Sequence, residues 1–146
     1  PIVPAVGYRF EYGGRSLVVS GDTKKSANLE RNASGVDLLV HEALSPELMG
    51  VIQRAAEVSG NAAVAKCASD VIGYHASPVE VAEIAASAHV GRLLYYHVVP
   101  PMPIPGLSTI FLNGVQDVFD GPITLGRDGT SISLPSGSDE IRILNK

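Results

Sequence analysis

Val36-Asp37-Leu38-Leu39-Val40-His41-Glu42, followed two residues later by Ser45-Pro46-Glu47, is the stretch on which the fold turns. The apolar centre of the run reads as a strand covered on both faces, as strands in parallel sheets are. It ends in two polar side chains, and Ser45 then caps a helix with proline at its first position and an acid in its first turn. Leu48, Val51, Ile52 and Ala55 recur behind it at helical spacing. The same design occurs twice more. Leu17-Val18-Val19 runs into Gly21-Asp22-Thr23, and Arg92-Leu93-Leu94-Tyr95-Tyr96 ends at His97. Between these strands, Ser26 caps a short helix reaching Ala33, with Gly35 as its stop. Gly60-Asn61 interrupts the longer helical stretch, and Ala62 to Val71 resumes it. Ser77-Pro78-Val79-Glu80 is a capping box. Its helix turns Val81, Ile84, Ala85 and Ala88 inward. Alternation on either side of Gly13-Gly14 predicts an N-terminal hairpin within residues 1–20. Leu107 to Phe119 reads as helix. Ile123 to Leu134 reads as a hairpin turned at Asp128-Gly129, part of a C-terminal hairpin and tail over 121–146. Strands alternating with helices, with hairpins at both ends, predict a single α/β domain over 1–146 with a mixed sheet.

Composition narrows the function classes. The chain has 146 residues, 45% of them hydrophobic, which suits one domain with a real core. With no Trp, five Tyr and three Phe, a stacking platform for single-stranded nucleic acid is not expected. The formal charge of −4 argues against holding a polyanion by bulk electrostatics. Lys24, Lys25 and Arg31 form a small basic patch that reads as a solvated helix start. Cys67 is the single cysteine, which excludes an intrachain disulfide and a cysteine-rich metal site, and it reads as a small apolar helix residue. No apolar run approaches the roughly 18–20 residues of a membrane span, so no membrane partner is expected. The chain begins at Pro1 without the n- and h-regions of a signal peptide, which is expected of a chain that is processed, excised or cut from a longer reading frame.

Polar residues that can carry chemistry gather at strand ends and just before a helix: Asp22, His41 with Glu42, His75 and His97. In open α/β sheets, sites form beyond the carboxyl ends of the strands. A carboxylate among imidazoles there suits zinc or manganese. Each residue also has a plainer reading. Asp22 could simply turn the chain after Gly21, His97 could be a packed core histidine, and His41 and Glu42 could be loop polarity. His89 reads as a cation at a helix C-terminus.

Taken in order, Ser20-Gly21-Asp22-Thr23, Leu38-Leu39-Val40-His41-Glu42-Ala43, His75-Ala76-Ser77-Pro78 and Leu93-Leu94-Tyr95-Tyr96-His97 resemble the C-terminal half of the metallo-β-lactamase-fold hydrolases. The nearest branch is the ribonuclease Z and arylsulfatase-like one. The resemblance spans roughly residues 6 to 100. It implies half of an αββα sandwich, a mixed sheet with helices on one face. It makes Asp22 and His97 metal ligands, for zinc or manganese. His75 takes the place near the leaving group, supported by His41 and Glu42, so that His75, Glu42 and His41 are the candidate catalytic residues. Here Ala76-Ser77 stands where the family carries Ser-Thr after the histidine, and the loop holding the Leu48 to Val71 helices is longer than the ribonuclease Z pattern.

The family's other signature, His-x-His-x-Asp-His, does not occur among these 146 residues, and all four histidines follow Asp22. With two matched ligands against the usual three, the chain alone is expected to bind metal weakly and to be inactive. The parent activity would be metal-assisted hydrolysis of a phosphoester, sulfate ester or lactone. The competing expectation is a non-catalytic dimeric binding module derived from the same fold. Half a sandwich leaves Leu17, Val19, Leu38, Val40, Leu94 and Tyr96 facing an absent layer. The expected cover is a second copy, the missing N-terminal half, or the terminal hairpin folding back. A cytoplasmic location is expected.

Overall fold

The computed structural model describes residues 3–144; Pro1, Ile2, Asn145 and Lys146 lie outside it, and with them the ends of the expected hairpin and tail. Five strands form the main sheet in the order β1 (Tyr8–Tyr12), β2 (Arg15–Val19), β3 (Leu38–Leu44), β4 (Leu93–Val99) and β5 (Ile123–Leu125). The Gly13-Gly14 turn, with both residues at positive φ, makes β1 antiparallel to β2. From β2 to β5 every pairing is parallel. Parallel neighbours need crossovers, and the helices α1 (Ala27–Asn32), α2 (Pro46–Val58), α3 (Ala62–Val71), α4 (Pro78–Ser87) and α5 (Leu107–Phe111) lie within them.

Local chemistry sets most of these boundaries. Ser26, Ser45 and Ser77 accept from backbone N–H groups at the starts of α1, α2 and α4, and Asn61 does so for α3. At α4 the box is reciprocal, because Glu80 also accepts from Ser77 N at 2.8 Å. The helices cover one face of the sheet. Val18, Leu39, Leu93 and Tyr95 enter a common core with Val81, Ile84 and Ala85 of α4. A smaller cluster joins Leu44, Met49 and Ala68, seating α2 and α3 at the end of β3. Among the described residues no helix is long and apolar enough to cross a membrane.

The opposite face is only partly covered. Leu17, Val19, Val40 and Tyr96 are half-buried there, while Leu38 and Leu94 are buried. Further out, Tyr8, Phe10 and Tyr12 of β1 are 61%, 52% and 88% exposed. A groove of about 1130 Å³ runs between this face, the Pro101–Pro105 loop and Ile132 and Leu134.

Two expected elements differ. Ile123 to Leu134 is not a hairpin. Ile123–Leu125 instead joins the main sheet beside β4, with Leu93 N donating to Pro122 O and Gly126 N to Tyr95 O. The Asp128-Gly129 turn does form, closed by Thr130 N to Arg127 O at 2.9 Å. The strand after it, β6 (Ser131–Ser133), pairs antiparallel with β7 (Arg142–Leu144). Arg15 donates to Ser138 O, and Ser136 Oγ to Gly13 O at 3.0 Å, which ties the tail to the N-terminal hairpin. The second difference is α5, which ends at Phe111 and gives way to turns, with Gly114 at φ +77°. Cys67 is exposed on α3 rather than packed.

Candidate metal centre

Three parallel strands deliver residues at or near their carboxyl ends to one place. β2 runs out through Ser20 and Gly21 to Asp22, β3 brings Glu42, and β4 brings His97. The segment entering α4 adds His75 from the side. Asp22 Oδ2 stands 3.6 Å from His97 Nε2, and the two side chains are 59% and 47% exposed. The rings of His75 and His97 lie 5.7 Å apart, centre to centre. Asp22, His75 and His97 each offer a ligand atom, all within 4.8 Å of one another. Two ligands of a tetrahedral ion with bonds of about 2.0–2.2 Å stand about 3.3–3.6 Å apart. The Asp22–His97 pair is at the upper edge of that spacing, and the remaining separations, up to 4.8 Å, have to shorten by about 1 Å for all three to share an ion, which the exposed Asp22 and His97 side chains have room to do. One carboxylate and two imidazoles are a donor set that suits a metal ion.

A local irregularity aims His97. Tyr96 pairs with Glu42 and Val98 with Ala43, so His97 is an extra residue in the ladder. Its φ is +43°. A bulge of this kind re-aims a side chain, here toward Asp22. Tyr96 donates its hydroxyl to Ser20 O, linking β4 to the segment that carries Asp22.

Glu42 is fully buried beneath the cluster. Its Oε1 accepts from Thr23 N at 3.2 Å and Ala76 N at 3.1 Å, and its Oε2 lies 2.9 Å from His75 Nδ1. Burial raises the carboxyl above its ordinary range, and the donors from Ala76, Thr23 and His75 pull the other way. One carboxylate thus fixes the segments carrying Asp22 and His75 and also orients the His75 ring.

His41, the third candidate catalytic residue, does not join this arrangement. Side chains alternate along a strand, so His41 shares the helix-covered face with Leu39 while Glu42 takes the other. His41 is fully buried, with Nδ1 2.6 Å from Glu42 O, and among the described residues its Nε2 has no hydrogen-bond partner. Burial lowers its pKa to about 4, so the ring is neutral at ordinary pH. His89 is also remote from the cluster, at the exposed C-terminal end of α4 with φ +54°. In the basic patch, Lys25 is paired with Glu83 at 2.7 Å and Arg31 donates to Asn28. Ser20 and Thr23 belong to the Ser20-Gly21-Asp22-Thr23 motif, which assigns them no role of their own, yet both brace Glu42: Ser20 Oγ accepts from Glu42 N at 3.0 Å, and Thr23 N donates to Glu42 Oε1. Their signal was their place on either side of Gly21-Asp22.

Fold and site together define a class. The structure is similar to the metallo-β-lactamase fold protein YhfI from Bacillus subtilis, with a TM-score of 0.55 over 82% of this chain and 40% of that one, at 19% identity. The fold is thus a mixed α/β arrangement of the metallo-β-lactamase type, of which this chain makes up one part. In sequence, the chain is similar to ribonuclease Z. It is 32% identical over 128 residues to the enzyme of Mycolicibacterium paratuberculosis (strain ATCC BAA-968 / K-10), covering 88% of this chain and 41% of that protein. To ribonuclease Z of Mycobacterium sp. (strain KMS) it is 33% identical over 137 residues, covering 94% and 44%. The chain therefore spans less than half the length of these two relatives and corresponds to their C-terminal-like part. No family model matches the chain.

Proposed function

We propose that this chain carries one side of a metal-dependent phosphoester hydrolase site, with RNA phosphodiesters as the substrate class. The observation that carries the reading is the 3.6 Å approach of Asp22 to His97 at the carboxyl ends of parallel strands, with His75 beside them. Asp22 and His97 would hold zinc or manganese. The chemistry such an ion supplies when bound is polarisation of an ester oxygen and acidification of a water. The chain's own contribution is placement. Glu42 holds the loop of Thr23 and the His75 ring in fixed relation to Asp22. His75, oriented through Nδ1, would pass a proton to the departing oxygen. The His-x-His-x-Asp-His donors would come from elsewhere, so the chain alone is inactive. The test is hydrolysis of a generic phosphodiester by the chain alone and after mixing with a polypeptide bearing those donors. Turnover is expected only in the mixture, and Asp22→Ala should return it to background. Turnover that survives Asp22→Ala would overturn the reading.

The bare sheet face bears on partners. Leaving several large apolar side chains in water costs roughly 1.5–3 kcal/mol each, and the exposed Tyr8 and Phe10 stand opposite Val19 and Leu17 of the half-covered face. A second copy is the proposed cover, across an apolar two-fold interface of more than about 2,000 Å² in total. Sedimentation at micromolar concentration should find a dimer; a monomer there would reject this cover.

A further inference from the structure

We propose that His75 is itself the third protein ligand of the metal this chain binds, with Glu42 as the carboxylate behind it. The inference rests on the reading that Asp22 and His97 hold the ion, but it assigns His75 differently. While the chain stands by itself, His75 closes the metal site instead of serving as a free acid.

Three features argue for it. The first is distance, since the His75 donor lies within 4.8 Å of those of Asp22 and His97. The second is orientation. Metal-bound histidines almost always give their other ring N–H to a carboxylate, carbonyl or water, which fixes the tautomer and strengthens the donor. His75 has this arrangement already: its Nδ1 lies 2.9 Å from Glu42 Oε2, which leaves Nε2 as the ligating atom. The third is rigidity. Glu42 is fully buried and anchored by Thr23 N and Ala76 N, and His75 is only 11% exposed, so little side-chain freedom remains to be lost on binding. The sequence supplied two matched ligands; the fold brings in the third from before α4, which makes the three protein donors usual for a zinc ion with one open position.

The test is a zinc titration of the full chain, followed by calorimetry and by ¹⁵N resonances of the imidazole rings. One equivalent of zinc should shift Nε2 of both His97 and His75 and leave His89 unmoved. His75→Ala should weaken binding at least tenfold, and Glu42→Gln by roughly 10–100-fold, the range for loss of an outer partner. The spectra of the unaltered chain decide the matter even if a variant folds poorly. A shift at His97 alone, with affinity unchanged in His75→Ala, overturns this inference and leaves the Asp22–His97 site standing. No shift at either ring overturns both.

Discussion

Replacing Glu42 with leucine is expected to lower the stability of the chain by about 2–4 kcal/mol. The loss comes from the groups left behind. Ala76 N and Thr23 N both donate to Oε1, and His75 is held by Oε2. A buried donor stripped of its acceptor costs about 1–3 kcal/mol. The Ala76 N–H is in the buried interior, and that of Thr23 is partly buried. Relief of the carboxylate's own burial works in the opposite direction, as its raised pKa indicates. That relief offsets part of the loss without cancelling it, because leucine would leave the Ala76 and Thr23 N–H groups and the His75 ring all without their acceptor. Glu42→Gln keeps the shape and one acceptor oxygen, so it should lose less than Glu42→Leu. Urea unfolding with an unchanged m-value is the measurement. A loss below 1 kcal/mol for Glu42→Leu would mean that the strand-end loops hold their positions without it.

Acidification from neutrality to pH 4 should cost the chain about 3 kcal/mol through His41 alone. Its folded pKa is about 4 against 6.5 for an ordinary histidine, and burial is the cause. Between those values the unfolded chain takes up a proton that the folded chain refuses. Stability therefore rises with pH across the window and is lost as pH falls through it, levelling off below about 4. Glu42 acts in the opposite sense. Its raised folded pKa lets the unfolded chain release a proton first, above 4.5, so stability from that source falls as pH rises. Comparison with His41→Leu separates the two, since Glu42 is common to both proteins. The difference in unfolding free energy between pH 7 and pH 4 should be larger in the native chain by about the stated amount. Parallel pH profiles for the two proteins would show that the ring is not kept neutral by burial.

Much of the fold could be read along the chain because its boundaries are local. Ser45, Ser77 and Ser26 cap the helices they were expected to cap, and Gly13-Gly14 turns the hairpin. Long-range pairing was less legible. Nothing local to Ile123–Leu125 says that it will pair with β4 rather than with the residues after Asp128-Gly129, because parallel partners are chosen by the sheet and not by a turn. The site divides in the same way. Strand-end position gave Asp22, His97 and Glu42. The face that His41 takes was not legible, because the alternation of a buried strand cannot be phased from residues apolar on both faces. The reach of His75 into the cluster depends on a carboxylate 33 residues away.

The backbone at His97 gives that residue a meaning beyond its imidazole. At φ +43° an L side chain sits in a conformation that glycine adopts without penalty. For other residues such positions cost on the order of 1–3 kcal/mol. Considered as a folding problem alone, position 97 calls for glycine, and a chain released from holding anything there would gain stability by taking it. Under the proposed ligand role, folding and ligation make opposite demands on this one residue, and the imidazole is kept there at a thermodynamic cost.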